Sequence, residues 1–159
     1  MKHTFKRSLA LLLVLVMVAG LLPSALADDV AAVNVAQGAA VTATSSFDGG
    51  GLYSPSYLTD GLLGNYPAEQ HLGWNTGEEA SATITLDKTY KLSKIELYPI
   101  TFESGKFFPS AYTVSVSADG ESWTKVGGAE NVPAPGTTAQ TVSFDETAAK
   151  YIKIDVTPR

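Results

Sequence analysis

Asp60 and a group of loop aromatics are the residues of this 159-residue chain whose types and spacing could do chemistry. Asp60 stands in Leu58-Thr59-Asp60-Gly61, where a carboxylate meets a tight turn. Calcium takes a carboxylate with several carbonyl oxygens at about 2.3–2.6 Å, and a turn supplies both kinds of ligand. The competing use of Asp60 is an ordinary Asp-Gly turn in which the carboxylate accepts from backbone amides. The aromatics are Tyr53, Tyr66, Phe102, Phe107 and Phe108. A pyranose ring needs a flat apolar face and a few fixed polar groups. Aromatic side chains supply that face and lose little entropy on binding. Glu69 and Lys106 are the polar partners within reach in sequence, and His71 sits in EQHLGW beside Trp74. His71 has an alternative role, bonded to loop backbone. Phe107 and Phe108 are adjacent, so on extended chain one ring reaches the surface and the other plugs the loop.

Catalytic constellations are missing from the sequence. It has no G-x-S-x-G, no H-E-x-x-H and no phosphate loop. It has no cysteine, so no thiol nucleophile, thiolate metal ligand or disulfide is available. His71 is the one histidine after residue 27, which excludes a multi-histidine metal centre there. Glu78-Glu79 and Asp145-Glu146 are adjacent acids. On extended chain such neighbours point to opposite faces, unlike a glycosidase pair flanking one bond. The residues suit binding better than catalysis.

The elements that must position these residues fall into two kinds. Residues 46–80 hold turn formers and aromatics with no strand or helix period. Irregular loops beyond about 15 residues are uncommon in compact domains unless they carry function. From residue 82 onward, apolar and polar residues alternate in five segments. Ala82, Ile84 and Leu86 share one face. Ile95 and Leu97 share another, as do Tyr112, Val114 and Val116. Val142 and Phe144 form a further set, and Ile152, Ile154 and Val156 the last. VTATS at 41–45 is the first strand candidate. Half-wet strands of this kind predict an all-β fold, an antiparallel β-sandwich. Asp119-Gly120 in ADGESW predicts a tight turn from residues 114–117 into a short strand at 123–126. Asp87-Lys88 predicts a turn into a strand at 91–98, and PAPG at 133–136 predicts a loop. No ten-residue segment after residue 27 has a helical stripe, and no repeat of 20–50 residues occurs.

Residues 1–27 read as a secretory signal peptide: Lys2, Lys6 and Arg7, then an apolar run at 9–22, Pro23 and Ala25-Leu26-Ala27. The run is short for a membrane span. The domain expected after cleavage is 28–159, and its location is extracellular. All 16 acids and 8 of the 11 bases lie after residue 27, so this part carries a charge of about −8. That charge disfavours nucleic acid and anionic membrane as partners.

Several motifs in order resemble the discoidin family, the coagulation factor five/eight type C domains. NVAQGAAVTA at 34–43 is similar to the family's opening. Leu58-Thr59-Asp60-Gly61 resembles its D-G turn, and Gly73-Trp74-Asn75-Thr76 the tryptophan motif that follows. Residues 82–88, IELY at 95–98, YTVSVSADGESW at 112–123 and KYIKIDV at 150–156 resemble its later strands. The resemblance spans almost all of 28–159. It implies a galactose-binding-like jelly roll and a bacterial carbohydrate-binding module. It also implies a structural calcium ion, with Asp60 giving its carboxylate and Tyr57, Leu62 and Asn65 giving further oxygens. Trp74 and Trp123 match positions that are core in the family.

Two departures limit what the resemblance implies. Galactose-binding relatives often place an arginine and an asparagine in the loop after the L-Y strand. Here the loop is Pro99-Ile100-Thr101-Phe102-Glu103-Ser104-Gly105-Lys106, with neither. Lys106 can replace the charge but not the planar fork. Galactose specificity is therefore not implied. The family also continues beyond the KYIKIDV strand to a closing strand with an acidic residue, whereas this sequence stops at Arg159. The expectation is a piece of a longer extracellular protein with the last strand missing, and one reading places a glycoside hydrolase downstream. The expected partner is a glycan or polysaccharide. The alternative is an adhesion module that binds a protein or cell-surface component through the same loops.

Overall fold

The computed structural model describes residues 32–44, 53–62, 72–74, 80–98, 109–132 and 139–157. Chain contacts divide the protein into Met1–Val33 and Asn34–Arg159. The first unit, with the expected signal peptide, lies outside the described residues except at 32–33.

The second unit is built from strands β1 (Ala40–Ala43), β2 (Ala80–Leu97), β3 (Ala111–Ser117), β4 (Thr124–Glu130) and β5 (Gln140–Thr157), with a short 3-10 helix at Pro55–Leu58. The strands form one antiparallel ladder in the order β1-β2-β5-β3-β4. Its register explains the alternation in the sequence. Val41, Ile84, Ile152 and Val116 stand opposite one another, as do Ala43, Ala82, Ile154 and Val114. These rows face inward, and the β2, β3 and β5 residues in them are all buried. The residues between them, such as Thr83, Thr85, Lys153, Asp155, Thr113 and Ser115, form the outward rows. Burying each large apolar side chain contributes about 1.5–3 kcal/mol, which is what holds the strands in this register.

The ladder becomes two layers because the β2–β5 ribbon bends. Its pairing slips between Thr85 and Tyr90, and again between Leu92 and Lys94. Extra residues on one strand bend it and increase its twist. At the first slip Asp87, Lys88 and Thr89 are exposed on the outside of the bend. The turn predicted at Asp87-Lys88 is therefore not a turn. β2 runs through it, and the two strands expected on either side are one. The same holds for β5, which joins the two segments expected at 141–144 and 152–156.

Beyond the bend the ribbon packs over the rest of the sheet. β3 separates β4 from β5 in the ladder, yet a Cβ placed on Gly127 of β4 would strike the Val142 side chain of β5. Glycine is required there because the two layers approach too closely for a side chain. Leu92, Ile95 and Val142 from the folded-over half join Val114, Val116, Ile152 and Ile154 in a single core. The result is the expected antiparallel β-sandwich.

Candidate functional site

The described residues that flank the irregular segments are tied together at one end of the sandwich. Thr44 donates its backbone N–H to the Ser81 carbonyl at 3.0 Å, and Ser81 N–H donates to Thr44 Oγ1 at 2.9 Å. Ser110 N–H donates to the Thr157 carbonyl at 2.9 Å, and Val132 N–H to the Ser110 carbonyl at 2.9 Å. Ala80 faces Val156, and Ala111 faces both Thr157 and Glu130. Segments 45–52, 75–79, 99–108 and 133–138 all leave from or return to this group. The described chain ends beside these four segments thus share one hydrogen-bonded base, and loops on such a base are where recognition is carried.

The ligand-contact residues expected from the sequence are placed as follows. Tyr53 is half-buried, and its ring lies against Gly73, with Cδ1 3.2 Å from where a Cβ on Gly73 would sit. That contact brings Tyr53 beside the Trp74 backbone. Tyr66, Glu69, His71, Phe102, Lys106 and Phe107 lie outside the described residues, as does Phe108.

Tyr57, Asp60 and Leu62 occur together in one turn, and Asn65 lies outside the described residues. The 3-10 helix begins at Ser54, whose Oγ accepts from Ser56 N–H, and Pro55 fills its first position. Thr59 then fastens the turn to the strand base. It is buried, its hydroxyl donates to the Ala39 carbonyl at 2.8 Å, and its carbonyl accepts from Gly38 N–H at 2.6 Å. Asp60 is half-buried, and its Oδ1 accepts from Leu62 N–H at 2.8 Å. This is the ordinary use of an Asp-Gly turn. The Leu62 side chain is 73% exposed, so only its backbone oxygen would suit a metal. No group of three or more acidic, histidine or cysteine residues gathers among the described residues. One half-buried carboxylate in a carbonyl-rich turn fits the hard oxygen chemistry of calcium, not the nitrogen and sulfur chemistry of zinc.

The tryptophans differ from expectation. Trp74 is half-buried, and its enclosed indole N–H has no acceptor among the described residues. Trp123, expected in the core, is at the surface with 37% of its area exposed. The physical reason is its position. It directly precedes β4, at the exit of the turn after β3, where Glu121, Ser122, Thr124 and Lys125 are all exposed. Its flanking polar residues were the available signal.

The β3–β4 turn is held by Asp119. Its Oδ1 accepts from Ser122 N–H and Glu121 N–H, each at 2.8 Å, and from Ser117 Oγ at 2.9 Å. Those donors, the backbone amides first, hold the carboxyl down at about 2. Elsewhere the surface pairs Lys91 with Glu146, Lys94 with Glu96 and Lys153 with Asp155. These are exposed pairs on the β2–β5 ribbon, of little weight for stability.

The chain is similar in fold to several solved carbohydrate-binding modules. A chitosan-binding module from the chitosanase/glucanase of Paenibacillus sp. IK-5 superposes with a TM-score of 0.62 at 22% identity, covering 79% of this chain and 87% of that one. The family 32 carbohydrate-binding module of Clostridium perfringens NanJ, solved with galactose, gives 0.59 at 24%, covering 77% and 85%. CpGH89CBM32-5 of the same organism, solved with GalNAc-β-1,3-galactose, gives 0.59 at 22%, covering 76% and 84%. At these identities the likeness is one of fold. The F5/8 type C domain model matches residues 40–159, and the chain belongs to that family.

Proposed function

We propose that this chain is a secreted, non-catalytic carbohydrate-binding module that holds a longer extracellular protein near glycans. The observation that carries this reading is that the described residues flanking segments 45–52, 75–79, 99–108 and 133–138 are bonded together at one end of the sandwich, in a member of the F5/8 type C family. Tyr53 and the candidates in 63–71 and 99–108 would supply the apolar faces and polar partners that a pyranose needs. The relatives of like fold that were solved with galactose, GalNAc-β-1,3-galactose or chitotriose support a sugar as ligand. The experiment is a glycan array probed with residues 28–159. Binding to a defined glycan set is expected, and a blank array would overturn the reading. Export is tested by sequencing the N-terminus of the secreted protein, which is expected to begin near Asp28.

The same reading includes a structural calcium ion at the Asp60 turn. Asp60 would contribute a carboxylate oxygen, and Tyr57, Leu62 and Asn65 further oxygens. In a chain without disulfides, such an ion would staple an irregular segment. Calcium is expected to raise the melting temperature and chelator to reverse it. The Asp60→Ala variant should lose that response. An unchanged melting temperature in wild type would remove calcium from the proposal.

A further inference from the structure

The β3–β4 turn carries an exposed tryptophan, Trp123, at the far end of β3 from the described chain ends that flank the loops. Ser117, Tyr151, Thr85 and Ala40 share the row at that end. We propose that Trp123 is a second glycan contact, taking a pyranose ring of a neutral polysaccharide whose chain also reaches the loop end. This rests on the carbohydrate-binding reading above and extends it from one end of the domain to both.

Three observations carry the inference. The first is chemical. The indole presents 37% of its area to water, and the residues on either side of it are exposed hydrogen-bonding groups. Neither the Glu121 carboxylate nor the Lys125 amine has an ion-pair partner among the described residues. Lys125 is two residues on from Trp123 and Glu121 two residues before it, so an aromatic, a donor and an acceptor stand close along the chain, the residue types that hold a sugar ring and its hydroxyls. With Asp119 and Glu121 against Lys125 the turn has one acid in excess, which disfavours an anionic sugar and leaves a neutral one.

The second observation is rigidity. Asp119 binds two amides and the buried Ser117 hydroxyl, so the turn before the indole is fixed. Gly120 has φ +83°, and a Cβ there would sit 3.3 Å from the Tyr151 ring of β5. The turn therefore lies against the second strand along, not free in solvent. A platform held in advance loses little entropy when a ligand binds.

The third is distance. β3 has seven residues, so at about 3.3 Å per residue the loop end and Trp123 are about 20 Å apart. A polymer can span that gap while a single sugar cannot. Two linked contacts raise affinity without either becoming tighter.

Affinity electrophoresis in native gels containing galactan, xylan, laminarin or hydroxyethyl cellulose tests this, with indole fluorescence measured alongside. At least one polymer should retard the wild type and shift the indole emission to the blue. Trp123→Ala should bind that polymer about tenfold more weakly while still unfolding in a single cooperative transition above the assay temperature. Trp123→Phe, which keeps an aromatic face, should recover most of the loss. Equal retardation of wild type and Trp123→Ala with unchanged emission would overturn the second contact and leave the carbohydrate-binding reading standing. Retardation by none of the polymers would overturn it too, and the glycan array would then decide the first reading separately.

Discussion

Asp119 shows what one side chain does for the turn it occupies. Its carboxylate takes three hydrogen bonds and titrates at about 2, below its ordinary 3.8. The folded value is depressed, so Asp119 stabilises the fold fully above the unfolded value. That contribution is lost as pH falls from about 4 through about 2. Asp119→Asn keeps an acceptor but removes the charge. Denaturant midpoints should place the variant below wild type at about pH 6, with the gap closing by about pH 2. A gap that stays constant with pH would show that the charge has no role. The turn at Asp119-Gly120 was legible because the D-G pair has a specific backbone meaning. The exposure of Trp123 was not. A tryptophan at a strand entrance reads as core unless its polar flanks are weighed, and family position pointed the other way. Asp60 was legible in part. The sequence indicated a carboxylate in a tight turn, and the Leu62 amide is found on its Oδ1.

The β2–β5 ribbon was half legible at the scale of elements. Period-two alternation identified Ala82, Ile84, Leu86, Ile95, Tyr112, Val114 and Val116 as inward, because the wet and dry faces impose it, but not Leu92, which is buried between the two slips in register. Alternation says nothing about where a strand bends. Asp87-Lys88-Thr89 therefore read as a break, when it is the outer side of a bulge in a continuous strand. The fold-over was hidden for a related reason. Its requirement is expressed on β4, in Gly127, and not on the ribbon that bends. This makes Gly127 and Val142 a testable pair. Gly127→Ala should destabilise by about 1–3 kcal/mol, since the side chain it meets stands on a packed strand. Val142→Ala opens space at the same point. The double variant should be less destabilised than the sum of the single ones by at least about 0.5 kcal/mol. Strict additivity in urea denaturation would mean that the two layers do not meet there. Leu86, fully enclosed in the core, gives the reference: Leu86→Ala should cost about 2–5 kcal/mol.

Charge acts on the whole molecule. After residue 27 the chain carries about −8, and the Lys–carboxylate pairs on the β2–β5 ribbon cancel locally. The excess of acid therefore lies elsewhere: Asp60, Asp119, Glu121 and Glu130 make no ion pair among the described residues. A glycan without charge feels none of this field, so its binding should not change with salt. A polyanion is repelled on approach, and the repulsion is screened over about 10 Å at 0.1 M salt. The two ligand classes thus separate by ionic strength alone. Retardation by a neutral polysaccharide should be the same at low and high sodium chloride. Polygalacturonate should be excluded at low salt, with at most weak binding appearing as salt rises. The opposite trend, polygalacturonate binding that is strongest at low salt, would mean that Lys106 outweighs the acids. The ligand would then be an acidic glycan, and the Trp123 turn, with Asp119 and Glu121 against Lys125, could not be its second contact.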